Sequence, residues 1–215
     1  MRAIVSTLIA TVACVVSLSA LAAQPPGAAA PQIPHMSREQ ALAYLEQRRL
    51  APAPGNLVSP ILHGDAEAVE ALLAAGVDVN DTSELPKPAL RLAANACANK
   101  EIEPRKTLAT VEVLLAHGAK PNESEPSELS ALLVAAQWCP APVIRLLVRA
   151  GADLQFHSSL GHTPLETALS LGNYDGAEAL IDAGARLSPE TANRLLANHK
   201  DNARLASLVK RARAK

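Results

Sequence analysis

Residues 161–185 have the sequence GHTPLETALSLGNYDGAEALIDAGA, which predicts two short helices joined by a tight turn. Thr163 is a residue type that caps helix starts, and Pro164 suits the first helical position because its missing N–H group costs nothing there. Gly172 and Gly184 can each end a helix, because glycine adopts the left-handed conformation easily. The stretch therefore predicts a helix pair whose starts and ends are marked by the residue types at those positions.

The second helix of this pair and its terminal glycine recur along the chain. The four copies are LLAAGVDVN (72–80), LLAHGAKPN (114–122), LLVRAGADL (146–154) and LIDAGARL (180–187). Their terminal glycines are Gly76, Gly118, Gly151 and Gly184, which are 42, 33 and 33 residues apart. Self-similarity at a period of about 33 residues is typical of a stacked helical repeat.

The copy at residues 161–185 resembles the ankyrin repeat. The agreement lies at Thr163, Pro164, Leu165, Ala168, Gly172, Leu180, Gly184 and Ala185. The resemblance covers about residues 55–187 well and extends to the flanks. It implies an all-α ankyrin-repeat solenoid of about four helix-turn-helix repeats with N- and C-terminal caps, a fold that binds a protein partner and is not expected to be an enzyme.

Both ends of the array have the pattern of caps, which a solenoid needs because its outermost faces have no neighbour. At the front, residues 37–50 begin with Ser37, and Gln40 follows at the spacing of a capping box. At the back, residues 188–199 and 202–214 each predict one further helix.

Three of the four repeats depart from the pattern. The first has Pro60 where alanine is expected, in a helix near residues 56–62. The second and third have Cys97 and Cys139 at the position of the glycine between the helices. From this position to the terminal glycine there are 12 residues in three repeats and 21 in the second. An insert of nine residues is therefore predicted within residues 98–107.

Cys97 and Cys139 occupy equivalent positions in adjacent repeats and are expected to be neighbours. Packed helices lie about 8–10 Å apart, whereas bridged cysteines need Cα atoms about 4.4–6.8 Å apart. The insert after Cys97 and Pro140 after Cys139 make both helix ends irregular, so that a bridge could close. We predict a disulfide; two buried free thiols or a redox-active pair are the alternatives.

The N-terminal segment predicts export. Residues 1–22 contain one arginine, an apolar run and a small-x-small sequence ending at Ala22, and are predicted to be a signal peptide. Residues 23–37 form a flexible Pro/Ala-rich leader, and residues 38–215 the ankyrin-repeat domain. The periplasm is the expected location, with secretion as the alternative. A membrane anchor or a lipoprotein modified at Cys14 fits the residues less well.

Composition and motifs exclude several classes of function. The formal net charge of -1 gives no reason to expect nucleic acid or an anionic membrane as a ligand. No catalytic or phosphate-binding motif is present. His157 and His162 share one loop with Asp153, but known metal sites have denser ligand clusters. No catalytic residue, metal or cofactor is predicted.

The resemblance also implies where a partner binds, because ankyrin partners usually lie against the turn tips and the ends of the first helices. The tip positions are Glu84, Leu85, Lys87, Pro126, Ser127, Leu129, Ser159, Leu160 and His162. The helix-end positions are Asn95, Gln137, Trp138, Ser170 and Leu171. Trp138 is the main anchor candidate, since tryptophan is enriched among residues that dominate interface energies. Alternatively, it is a lid over the cysteines and the insert.

The turn tips are also acidic. They carry Asp78, Asp81, Glu84, Glu123, Glu125, Glu128 and Asp153. Such a rim suits a partner with a basic patch, or is a solvated edge without further role.

Three roles are compatible with the sequence. The chain could be a scaffold or protector of a protein of the cell envelope, or an immunity-type inhibitor of a toxin. In a different class, it could be a thiol-based redox sensor that uses Cys97 and Cys139.

Overall fold

The computed structural model describes residues 33–123 and 129–213. The predicted signal peptide and most of the leader lie outside these ranges. The described helices are α1 (Arg38–Gln47), α2 (Val58–His63), α3 (Ala66–Ala74), α4 (Ala89–Ala96), α5 (Pro104–Ala116), α6 (Ala131–Trp138), α7 (Ala141–Arg149), α8 (Pro164–Leu171), α9 (Tyr174–Asp182), α10 (Pro189–Asn198) and α11 (Ala203–Ala212). A short 3-10 helix, Pro54–Leu57, precedes α2. None of the described helices is long and apolar enough to cross a membrane.

The helices stack in two rows, as the all-α solenoid requires. The first-helix row contains α2, α4, α6, α8 and α10, and the second-helix row contains α1, α3, α5, α7, α9 and α11. The pairs from α2 to α9 are the four predicted repeats. Helix α1 covers α3 at one end, and α10 with α11 closes the other, which confirms the fold expectation.

The core between the rows is built from leucines that recur with the repeat. The second-helix leucines lie four residues before each terminal glycine and are fully buried: Leu72, Leu114, Leu147 and Leu180. Leu90, Leu132 and Leu165 occupy equivalent buried positions in the first-helix row. Full burial of such a side chain contributes about 1.5–3 kcal/mol. Each repeat thus stabilises its neighbours through the same set of contacts.

The helix boundaries follow the local signals. The Thr163 side chain accepts a hydrogen bond from the Glu166 N–H, and the Glu166 carboxylate accepts one from the Thr163 N–H. Ser37 and Gln40 form the same capping box at α1. Gly172 ends α8 with a φ of 79°, in the left-handed region.

The first repeat keeps its helix despite Pro60 because the helix starts late. Helix α2 has six residues, and Pro60 is its third. The N–H groups of a first helical turn have no partner within the helix, so the missing N–H of proline costs little there. The degenerate first repeat therefore has a shortened first helix.

The nine-residue insert is divided between a loop and a helix. Seven residues separate α4 from α5, where two separate the helices of the other repeats. Helix α5 has 13 residues, whereas α3, α7 and α9 have nine. The five extra loop residues and four extra helical residues make up the insert. It packs closely against the first repeat, because a Cβ atom at Gly64 would lie 2.8 Å from the Lys106 Cβ atom.

Asparagine side chains also link the turns of adjacent repeats. Asn80 and Asn122 each donate from Nδ2 to the terminal glycine carbonyl of the next repeat and accept at Oδ1 the N–H two residues later. The four bonds are Asn80 Nδ2 to Gly118 O (3.0 Å), Lys120 N to Asn80 Oδ1 (3.1 Å), Asn122 Nδ2 to Gly151 O (2.9 Å) and Asp153 N to Asn122 Oδ1 (2.8 Å). The turn tips are therefore held in register.

Candidate protein-binding surface

Two large apolar side chains are exposed at equivalent positions of adjacent repeats. Trp138 ends α6 and Leu171 ends α8, and they are 54% and 51% exposed. Among the described residues, the other large exposed apolar side chains are Leu42 on α1 and Leu160 on a turn tip. Trp138 and Leu171 together are called the apolar pair below. Because the first helices stack side by side, the two positions lie on one edge of the first-helix row.

A groove of about 730 Å³ lies beside Trp138. Its lining includes both cysteines, Ile102 of the insert and Asn173. Trp138 thus adjoins the cysteines and the insert, as the lid alternative proposed, while about half of its surface stays exposed. The side chain can contact both the groove and a partner.

The groove has charges of both signs. Lys100 of the insert and Arg145 of α7 contribute positive charge, and three residues of α9 contribute negative charge: Asp175, Glu178 and Asp182. The acidic residues already have cationic neighbours on α11. Arg204 pairs with Asp175, and Arg211 pairs with Glu178 and Asp182.

Cys97 and Cys139 form the predicted disulfide. Their Cα atoms are 5.0 Å apart, well below the usual spacing of packed helices. Cys97 follows the last residue of α4, and Cys139 follows the last residue of α6. The bridge therefore joins the second and third repeats beside Trp138. Cys139 is 1% exposed, and Cys97 is partly buried.

Asn173 holds the end of α6 from the next repeat. Its Nδ2 group donates to the carbonyl oxygens of Ala136 (3.1 Å) and Cys139 (2.9 Å). Its Oδ1 atom accepts the Gly176 N–H at 3.1 Å and so caps α9. The last carbonyls of a helix have no partner within it, so Asn173 satisfies groups that would otherwise need water. The disulfide and Asn173 together fix the backbone that carries Trp138.

The predicted tip residues differ in their availability to a partner. Leu85 is only 7% exposed and belongs to the core, so its expected role as a contact residue is not supported by its position. Glu84 is exposed but accepts the Gly55 N–H at 2.9 Å. Lys87 is partly exposed, and Leu129 is partly buried against the core. Pro126 and Ser127 lie outside the described residues.

The third tip and the helix ends are more open. Leu160 is 81% exposed, and Ser159 beside it is also exposed. His162 is exposed, with its Nδ1 atom 3.7 Å from the Glu166 carboxylate. Of the predicted helix-end residues besides the apolar pair, Asn95 and Ser170 are exposed and Gln137 is partly buried.

The aspartates of the acidic rim take part in the turns themselves. Asp78, Asp81 and Asp153 each accept the backbone N–H of the residue two positions later, at 2.8–2.9 Å. Hydrogen bonds from the side chain and backbone of Ser83 lower the pKa of Asp81 below its usual value. These carboxylates shape the tips. Glu125 and Glu128 lie outside the described residues.

The structure also assembles a cluster that the spacing of residues did not suggest. His35, Glu70 and His117 offer one ligand atom each within 4.8 Å of one another. They are 35 and 47 residues apart in sequence, and His35 precedes the first helix. No local motif could have indicated this cluster, which lies apart from the apolar pair.

Comparison with known proteins identifies relatives of this fold. The family described as "Ankyrin repeats (3 copies)" matches residues 103–191. The chain is 29% identical over 143 residues to human "Cyclin-dependent kinase 4 inhibitor B", covering 64% of this chain and 96% of that protein. It is 33% identical over 130 residues to "Ankyrin repeat protein nuc-2" of Neurospora crassa, covering 60% of this chain and only 11% of that protein.

Proposed function

Because the chain belongs to the ankyrin-repeat family, whose members are protein–protein interaction modules, we propose that it holds a protein partner in the cell envelope. The observation that carries this proposal is the half-exposed Trp138 at the end of α6, with Leu171 at the equivalent position of α8. The apolar pair is the centre of the proposed interface, and the tip around Leu160 is its rim.

The physical basis of the proposed interface is the free-energy cost of exposing the apolar pair to water. Tryptophan and leucine gain free energy when their apolar surface is removed from solvent, and tryptophan is enriched among residues that dominate binding energies. The backbone at Trp138 is fixed by the disulfide and by Asn173. A fixed anchor loses little conformational entropy on binding, which favours affinity.

The location in the envelope is proposed from the N-terminal sequence and from the disulfide. Residues 1–22 have the pattern of a signal peptide, and a bridge such as Cys97–Cys139 persists in oxidising compartments. The periplasm is our first choice and secretion the alternative. Within this setting we favour a scaffold or protector of an envelope protein. An immunity-type inhibitor would instead form a very tight complex that abolishes the activity of a toxin.

The substitution Trp138→Ala is expected to weaken the complex at least about 30-fold, which corresponds to about 2 kcal/mol for a central tryptophan anchor. A crosslinked pull-down from the cell envelope, with the captured protein then titrated in purified form, measures this effect. Leu171→Ala should give a smaller loss. Leu42→Ala removes an exposed apolar side chain from α1 and is the matched control.

The variants distinguish the interface from a general effect on folding. All three should keep the circular dichroism spectrum and unfolding midpoint of the parent chain, since the substituted side chains are exposed. If Trp138→Ala and Leu42→Ala both bound the partner as tightly as the parent chain, the apolar pair would not be the interface. An equal loss in both would point to a contact that does not depend on this edge of the solenoid.

A second candidate function is a thiol-based redox sensor, and the observation in its favour is that the disulfide lines the same groove as Trp138. Taking up two electrons and two protons from a dithiol reductant would give two thiols and remove one of the two restraints on the end of α6, leaving the hydrogen bonds of Asn173. A redox titration of the bridge separates the candidates. Structural disulfides have potentials below about -300 mV, whereas regulatory ones are less negative. A low potential together with unchanged partner affinity after reduction would remove the sensor.

A further inference from the structure

His35, Glu70 and His117 form a compact cluster at the start of the repeat stack. His35 lies just before α1, Glu70 lies on α3, and His117 follows α5. His117 Nε2 is 2.8 Å from Glu70 Oε2, and His35 Nδ1 is 3.4 Å from Glu70 Oε1. We propose that these three side chains bind a divalent transition-metal ion, with Zn²⁺ as the first choice.

The distances fit a single ion. Tetrahedral zinc with bonds of about 2.0–2.2 Å to nitrogen and oxygen separates its ligand atoms by about 3.3–3.6 Å. The contact between His35 Nδ1 and Glu70 Oε1 already has this length at 3.4 Å, whereas His117 Nε2 contacts the other carboxylate oxygen, Oε2, at 2.8 Å. To hold one ion, the carboxylate would either bind through both oxygens or turn so that one oxygen faces both imidazoles, and the His117 contact would lengthen by about 0.5–0.8 Å. Such a movement is within the reach of a side-chain rotation.

The burial of Glu70 supports the same conclusion. This residue is 1% exposed, and buried carboxylates are normally paired with a cation or bound to a metal. Within the described ranges, no lysine or arginine forms an ion pair with it. Its partners there are the two imidazoles and the Met36 N–H, which donates to Oε1 at 3.0 Å. The Met36 contact orients the carboxylate in the way that outer hydrogen bonds orient metal ligands.

The cluster is also open to an incoming ion. A cleft of about 270 Å³ is lined by Ile33, His35, Glu70 and Glu112. The His35 side chain is 76% exposed, so it can turn toward an ion that enters from solvent. Glu112 occupies on α5 the position that Glu70 occupies on α3, 42 residues later. A water molecule can supply the fourth ligand, and Glu112 adds negative charge to the same cleft.

Metal binding at this place would have a structural consequence. The ligands come from the leader, the first repeat and the end of the second repeat. One ion would therefore fasten the segment before α1 onto the repeats. This inference does not depend on the identity of the partner or on the apolar pair.

Isothermal titration of the purified chain tests the proposal, with no histidine tag and after treatment with EDTA. We expect one equivalent of Zn²⁺ to bind and Mg²⁺, which prefers oxygen ligands, not to bind. His35→Ala and His117→Ala should each weaken zinc binding by about tenfold to a hundredfold. The matched control is His157→Ala, which removes an exposed histidine outside the cluster.

The His35→Ala variant shows whether a loss of zinc binding comes from misfolding, because this side chain is 76% exposed and precedes the first helix, so its removal should leave the repeats intact. Its circular dichroism spectrum without metal should equal that of the parent chain. Zinc should also raise the unfolding midpoint of the parent and of His157→Ala, but not of His35→Ala or His117→Ala. Equal zinc affinity in His35→Ala and His157→Ala, or no saturable binding to the parent, would overturn the proposal.

Discussion

Reduction of the Cys97–Cys139 disulfide is expected to lower the free energy of unfolding by about 4 kcal/mol. The two cysteines are 42 residues apart in sequence, and the loop-closure model assigns about this value to a loop of that length at 25 °C. Reduction should act mainly by enlarging the unfolded ensemble, since both cysteines sit in packed repeats. Urea unfolding of the oxidised chain and of the chain reduced with dithiothreitol measures the difference.

The control is the double variant Cys97→Ala and Cys139→Ala. Its stability should match that of the reduced chain and should not respond to dithiothreitol. In a repeat array, stability is approximately a sum of units and of the interfaces between neighbours. Loss of the bridge should therefore destabilise mainly the interface between the second and third repeats. A change below about 1 kcal/mol on reduction would contradict the loop-closure account.

The substitution Asn173→Ala is expected to lower the free energy of unfolding by about 2–4 kcal/mol. It removes the cap of α9, worth about 1 kcal/mol, and leaves two carbonyl oxygens at the end of α6 without their donor. Chemical denaturation of the variant and of the parent measures the loss. The effect should be large for a residue that is only partly buried, because one side chain serves two repeats.

Asn173→Ser separates the two contributions. Serine can cap α9 but cannot reach the Ala136 and Cys139 carbonyls, so it should recover only about 1 kcal/mol of the loss. Because Asn173 and the disulfide hold the same backbone, removing both should not give an additive effect. A cost for Asn173→Ala no greater than that of an ordinary cap would show that the two bonds to α6 contribute nothing.

The parts of the fold that sequence could predict are those with local causes. Helix boundaries follow from the residue types at Thr163 and Gly172, and the period of the core follows from the recurring leucines. The disulfide was also predictable, because equivalent positions in adjacent repeats must be neighbours. The division of the insert was not predictable, since whether residues after Pro104 extend α5 depends on their packing against the first repeat.

The candidate sites show where this reasoning fails. Leu85 was assigned to a turn tip by position, but the direction of a side chain in a turn depends on backbone conformation and not on spacing. His35 and His117 come together only because the segment before α1 folds back onto the second-helix row. Contacts between residues far apart in sequence require the tertiary structure, and no repeat pattern contains them.

The disulfide also changes how the chain would respond to mechanical force. A pull on the two ends passes directly from Cys97 to Cys139, so the 42-residue span between them cannot be extended. About 140–150 Å of chain is thereby withheld from stretching. The whole of α5 and the insert lie inside this span. Under tension from a partner, the repeats outside this span would unfold first, while the segment that ends at Trp138 would carry no load until the disulfide broke.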